Sequence, residues 1–299
     1  MENRTILRND NIIKLSDSRQ LTYAEYGDPN GQPVFLVHGT PGSRLYWNSL
    51  PGFPFRSDLH LIAPDRPGYG LSDWTPGRTM TDWPDDVAAL ADVLGLHRFV
   101  LIGVSGGGPE TLACAWKIPD RLTAVGVMHS PGPPDAPDYF EGMSRTNRFI
   151  LRLAARSPWL MHKNMEFVTW LVRRNPAKYV ERMTYKFSAP DKTAIARPEI
   201  RESLLQNFVE ALRQPDSGRA YGDDVVLHHA LPWGIPLEQI RVKVYLWQAK
   251  NDTSVPNTQA CYLAETLANC HATFIPNAGH LWHIDHMSEV LNMLVPRQR

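Results

Sequence analysis

Cysteine is scarce in this sequence, with only Cys114, Cys261 and Cys270, an odd number that forms no C-x-x-C pair. That argues against a disulfide framework and against a zinc site, and it leaves three reduced thiols that mostly pack. Long apolar runs are missing too. No segment approaches the ~18 uninterrupted apolar residues of a membrane-crossing helix. The opening MENRTILRND is polar and mixed in charge, without the apolar stretch of a secretory leader, so a cytoplasmic protein with no membrane span is the expectation. An excess of one charge sign is also absent. Lys and Arg number 31 and Asp and Glu 31, so neither nucleic acid nor an acidic surface is indicated as a partner. There is no internal repeat and no low-complexity segment.

What remains is the composition of a globular protein, 43% hydrophobic and 21% charged over 299 residues. That length suits one large domain, or one domain with an insertion, around a sizeable core. Short apolar runs closed by turn residues predict strands near residues 12–15, 21–26, 34–38, 59–63, 99–102, 124–128, 242–247 and 272–275. The run at 22–26 alternates as an antiparallel edge strand does. The continuously apolar runs at 34–37 and 99–102 fit strands covered on both faces of a parallel sheet. Helical spacing lies between them, as at 83–94, where Val87, Leu90, Ala91 and Leu94 share a face and Asp82 is the candidate N-cap. Alternating strand and helix predicts an α/β fold with a mostly parallel sheet.

The alternation stops between about residues 131 and 232. Amphipathic helical stretches at 149–153, 167–172 and 204–212 replace it, bounded by the proline-rich Pro131-Gly132-Pro133-Pro134-Asp135-Ala136-Pro137 and by Leu231-Pro232-Trp233. The expected organisation is a core of residues 1–131 and 233–299 with a helical cap at 132–232. The aromatic and methionine-rich stretch 159–170 suits a pliable apolar pocket between cap and core, although for any single residue the stronger reading is that it fills the cap's own small core.

The strongest chemical signal is Gly103-Val104-Ser105-Gly106-Gly107, directly after an apolar strand and before the helical run 110–116. A serine held in a strained strand-to-helix turn projects its hydroxyl above the sheet; no lysine in the loop supports the rival reading as a phosphate cradle. A serine hydroxyl needs a base, and the base needs an orienting group. Asp252 lies just past the strand ending at residue 247, and His280 just past the one ending at 275. Both therefore sit at the carboxyl ends of strands, where open α/β sheets hold ligands. His283 and His286 compete with His280, and the preceding Gly279 favours His280. Acyl transfer also needs donors for the developing oxyanion. The loop His38-Gly39-Thr40-Pro41-Gly42 offers the Thr40 amide, and Gly106 offers the amide after the nucleophile. His38 itself reads as structural.

The motifs His38-Gly39-Thr40-Pro41-Gly42-Ser43, Asp65-Arg66-Pro67-Gly68-Tyr69-Gly70-Leu71-Ser72, Gly103-Val104-Ser105-Gly106-Gly107, Asp252 ahead of Val255-Pro256, and Gly279-His280 fall in the order of the α/β-hydrolase superfamily, which the chain resembles over nearly its whole length outside the cap. The resemblance implies a sheet of about eight strands, no cofactor or metal, and a two-step acyl-enzyme mechanism. Ser105 would be nucleophile, His280 base and Asp252 its orienting acid, with Thr40 and Gly106 as oxyanion donors. It implies a structural role for residues 65–72. The function it implies first is a carboxylesterase-like serine hydrolase acting on a small, apolar ester. A proline-iminopeptidase-like peptidase, a C–C bond hydrolase, a lyase and a receptor-like binder remain alternatives, because fold and triad do not determine substrate. Oligomeric state is not legible.

Overall fold

The computed structural model describes residues 6–53 and 55–297. Eight strands form a single sheet: β1 (Ile6–Lys14), β2 (Gln20–Gly27), β3 (Gln32–Val37), β4 (Leu59–Pro64), β5 (Phe99–Val104), β6 (Leu122–Met128), β7 (Val244–Ala249) and β8 (Cys270–Ile275), in the spatial order β1-β2-β4-β3-β5-β6-β7-β8. β1 and β2 pair antiparallel, and β2 meets β4 antiparallel; every pairing from β4 to β8 is parallel. The expectation for the 22–26 run is half corrected. The strand is antiparallel, but β1 covers its outer side, so it is not an edge, and its residues are mostly buried rather than alternating.

The apolar runs are explained by the layers they separate. Phe35, Val37, Leu101, Val125 and Leu246 face one layer, where α1 (Trp83–Val93), α2 (Gly107–Lys117) and α9 (Asn257–Thr266) pack through Trp83, Val87, Leu90, Leu112 and Leu263. Val34, Leu36, Ile102 and Trp247 face the other, where α10 (His283–Leu294) packs through Ile284, Met287, Leu291 and Leu294. Fully burying each such side chain is worth about 1.5–3 kcal/mol, which is why these strands tolerate no polar alternation. Asp82 does not cap α1 with its side chain. Its carboxylate instead accepts from the Thr79 amide at 2.6 Å, ordering the turn before the helix. Cys114 is buried in α2, whereas Cys261 is exposed and therefore not a packing residue.

Between β6 and β7 run six helices: α3 (Arg145–Arg156), α4 (Pro158–Arg174), α5 (Pro176–Thr184), α6 (Ala189–Ile195), α7 (Pro198–Ala211) and α8 (Ser217–His229). Proline at the first or second position starts α4, α5, α6 and α7. There its missing N–H costs nothing and its fixed φ favours helix, so this segment's prolines set its corners. Because β3 to β8 are parallel, the residues after β3, β5, β6, β7 and β8 all emerge on one rim, the rim that carries the site.

Candidate active site

Ser105 occupies the turn between β5 and α2 with φ of 52°, a left-handed conformation that a non-glycine residue adopts only when its surroundings hold it there. Its amide donates to the Met128 carbonyl at 2.8 Å, which ties the turn to the neighbouring strand. The hydroxyl makes no hydrogen bond among the described residues and lines the rim cavity, and the amino-terminal end of α2 places a positive dipole beside it.

Asp252 and His280, far apart in sequence, meet across the ends of β7 and β8. His280 Nδ1 lies 2.7 Å from Asp252 Oδ2, while Asp252 Oδ1 accepts the amides of Ser254 at 2.7 Å and Val255 at 3.0 Å. Acceptor oxygens make the histidine donate from Nδ1, so the tautomer leaves Nε2 free to accept a proton. Burial pushes the Asp252 carboxyl up, but the His280 charge and hydrogen bond outweigh it and hold the group below the usual carboxylate range. Burial likewise pulls His280 down, and the Asp252 charge more than reverses it, leaving the imidazole raised. The pair is thus arranged to stabilise an imidazolium.

The other two candidate histidines are engaged elsewhere. His283 Nε2 is 2.5 Å from the Tyr46 hydroxyl, and His286 Nδ1 donates to the Trp282 carbonyl. His129, at the end of β6 with φ of 50°, stands 5.6 Å from the His280 ring and accepts the Ala249 amide on Nδ1. Burial first, then the His280 charge, holds His129 down to about 3, so it is neutral. His38 is fully buried, accepts the Arg66 amide on Nε2 and is pushed by burial and by the Arg66 charge to about 3, a structural residue.

Thr40 and Gly106 are brought together over Ser105. A Cβ at Gly106 would stand 3.1 Å from the Thr40 nitrogen, and neither amide donates a backbone hydrogen bond among the described residues. The Thr40 side chain is fixed from below: its hydroxyl donates to Asp224 Oδ2 at 2.6 Å and accepts from Arg66 Nη2 at 2.8 Å. Asp224, on α8, is the hub of a fully buried network. It pairs with Arg66 at 2.8 Å and with Arg78, and accepts from the Tyr69 hydroxyl at 2.8 Å; Arg78 also bonds Glu110 at 2.8 Å, which His228 meets at 3.1 Å. Burial raises Asp224, but Arg66, His228 and Arg78 overwhelm that and hold it far below the usual carboxylate range. Glu110, Asp224 and His228 could present three ligand atoms to a cation. Two guanidinium groups already bridge the carboxylates, so the donor set does not suit a metal ion.

The rim encloses a cavity of about 270 Å³, lined by Ser105, His280, Thr40 and Tyr46 on the sheet side and by Tyr179, Met183, Phe187, Leu204, Phe208 and Tyr221 from the stretch between β6 and β7. The stretch 159–170, one candidate for the pocket wall, does not line it. It forms most of α4, whose Trp159, Phe167 and Trp170 are exposed and whose Met161 is buried beside Ala154 and Val226. Of the helical stretches singled out in the sequence, 204–212 is the one that reaches the cavity, through Leu204 and Phe208, while Tyr179 and Met183 enter it from one face of α5. Among the described residues lining it there is no Asp, Glu, Lys or Arg.

A sequence profile described as the alpha/beta hydrolase family matches residues 34–293. The chain is similar to a non-heme chloroperoxidase of Streptomyces lividans, 34% identical over 123 residues, and to a bifunctional esterase/perhydrolase of Acinetobacter calcoaceticus, 31% identical over 124; each match covers 41% of this chain and 45% of the relative. The chain therefore matches less than half the length of these curated relatives. Its fold superposes on a thermophilic esterase from Thermogutta terrifontis with a TM-score of 0.69 and 25% identity, covering 96% of each chain. With the family profile spanning most of its length, the chain belongs to the alpha/beta hydrolase family.

Proposed function

We propose that the protein is a serine hydrolase that cleaves a carboxylic ester of a small, uncharged, mainly apolar substrate through an acyl-enzyme on Ser105. The observation that carries this reading is the 2.7 Å contact of His280 Nδ1 with buried Asp252 beside a cavity that Ser105, in its left-handed turn, also lines. Ser105 Oγ attacks the ester carbonyl as His280 Nε2 takes its proton, and Asp252 keeps the ring oriented and stabilises its charge. The Thr40 and Gly106 amides receive the developing oxyanion. Return of the proton to the leaving alkoxide frees the alcohol; a water activated by His280 then releases the acid.

Residues 132–232 act in this reading as a cap that shapes the acyl site, with Tyr179, Met183, Phe187, Leu204 and Phe208 as its wall. A wall without ionised side chains favours a neutral ester over a peptide that presents a free amine, since burying an unpaired ammonium is costly. The similarity to proteins named esterase supports ester chemistry.

Hydrolysis of p-nitrophenyl esters from acetate to laurate, by wild type and Ser105→Ala, tests the reading. The expected result is Ser105-dependent turnover with an optimum at short to medium acyl chains, because a cavity of about 270 Å³ cannot bury a long one. Folded wild type inert towards the whole series would overturn it.

A further inference from the structure

His280 is gripped at its backbone as well as at its ring. Asp191, in the first turn of α6 and only 1% exposed, accepts the His280 amide on Oδ2 at 3.0 Å and the Leu281 amide on Oδ1 at 2.7 Å; the Ser188 hydroxyl completes Oδ2 at 2.7 Å. The contact is tight. A Cβ on Gly279 would lie 2.3 Å from both Asp191 Cγ and Ser188 Oγ, so the residue before the histidine has no room for a side chain. Ser188-Ala189-Pro190-Asp191 resembles a helix-capping sequence, in which the acidic residue turns back to the cap's own amide. Here it turns to a loop about ninety residues away.

A buried carboxylate without a cation costs several kcal/mol in lost solvation unless other groups satisfy it. Among the described residues Asp191 forms no ion pair, and the three hydrogen bonds stand in for one. The titratable groups that face His280 are Asp252 from the loop after β7, His129 from the end of β6, His283 from α10 and Asp191 from α6. Burial keeps both flanking histidines neutral. The two carboxylates are therefore the negative charges that an imidazolium at this position meets.

We propose that Asp191 is a positioning residue for His280: from α6 it fixes the histidine's backbone and supplies a second negative charge close to it, so that the competence of the base depends on α6. The proposal rests on the reading of His280 as general base. It ties competence to the inserted helices, because the group that completes the histidine's setting belongs to them and not to the sheet.

Histidine-selective NMR titration of wild type, Asp191→Asn and Asp191→Glu, with fluorophosphonate labelling of Ser105 across pH, tests it. Removing an anion disfavours the imidazolium, so in Asp191→Asn the His280 midpoint moves to lower pH by roughly half a unit or more. The acidic limb of labelling moves the same way, and its plateau rate falls about tenfold as the ring is misplaced. Asp191→Glu keeps the charge but shifts the backbone, so labelling slows while the titration stays near wild type. A merely structural residue would slow labelling without moving the midpoint, and an unmoved midpoint in folded Asp191→Asn overturns the proposal. If that variant does not fold, Asp191→Ser takes its place in the same titration: a midpoint at lower pH supports the proposal and an unmoved one overturns it. Wild type that fails to label at all would sink the serine-hydrolase reading instead, while the titration still decides the role of Asp191.

Discussion

Two carboxylates hold one histidine, and they come from different parts of the molecule. Asp252 follows a strand of the sheet and meets the ring at Nδ1; Asp191 sits on α6, between β6 and β7, and meets the backbone amides of residues 280 and 281. The first contact selects a tautomer, and the second fixes a position. The same division recurs at Thr40, whose amide lies in a loop of the sheet rim while Asp224, on α8, binds its hydroxyl. In the proposed reaction the loops at the sheet rim thus supply the reacting groups, and the helices between β6 and β7 supply anchors that set where those groups stand.

If that division is right, variants on the sheet side lose chemistry and variants on the helical side lose placement or stability. Ser105→Ala should show the largest effect, a fall in kcat of about 10⁵-fold or more with the thermal melt unchanged. Asp252→Asn should lower kcat about 10⁴-fold by presenting the wrong tautomer, with KM little altered; near-native turnover would mean that another acid orients His280. Asp224→Asn should act mainly on stability. It leaves the buried charges of Arg66 and Arg78 short of a partner, a loss of about 3–5 kcal/mol in denaturant unfolding. An unchanged unfolding midpoint would show that α8 is not pinned to the core through this network.

The smallest of these effects belongs to the buried neutral histidines and concerns the sheet side alone. His38 and His129 are held at about 3 in the folded protein, below the ~6.5 of an unfolded chain, so the unfolded state binds more protons. Stability is therefore lost as pH falls through 6.5 and continues to fall towards 3. Each contributes about 2 kcal/mol of destabilisation between pH 7 and pH 5. Melting curves across that range check it, and a His129→Gln variant should flatten the slope.

The sheet was legible because its signals are local. Runs such as Val34-Phe35-Leu36-Val37 carry their own burial, and Ser105, Asp252 and His280 each follow a strand end, so chain order alone puts them on one rim. What escaped was what depends on packing between distant segments. The antiparallel strand β2 lost its edge position to β1, whose early residues carry no strong pattern. Asp191 was hidden inside a sequence that reads as a helix cap, and Asp224 lies mid-helix, where a carboxylate reads as solvent-facing. Trp159, Phe167 and Trp170 neither fill the cap's core nor wall the pocket, because aromatic content says nothing about which helix face turns inward. Tyr46 and His283 meet only through the tertiary fold.

The most direct test of the central claim is intact-protein mass spectrometry after exposure to a fluorophosphonate, followed by peptide mapping of the adduct. The account predicts one adduct per chain, on Ser105, absent in Ser105→Ala and strongly slowed in Asp252→Asn. No adduct on folded wild type, or an adduct that persists in Ser105→Ala, would contradict it.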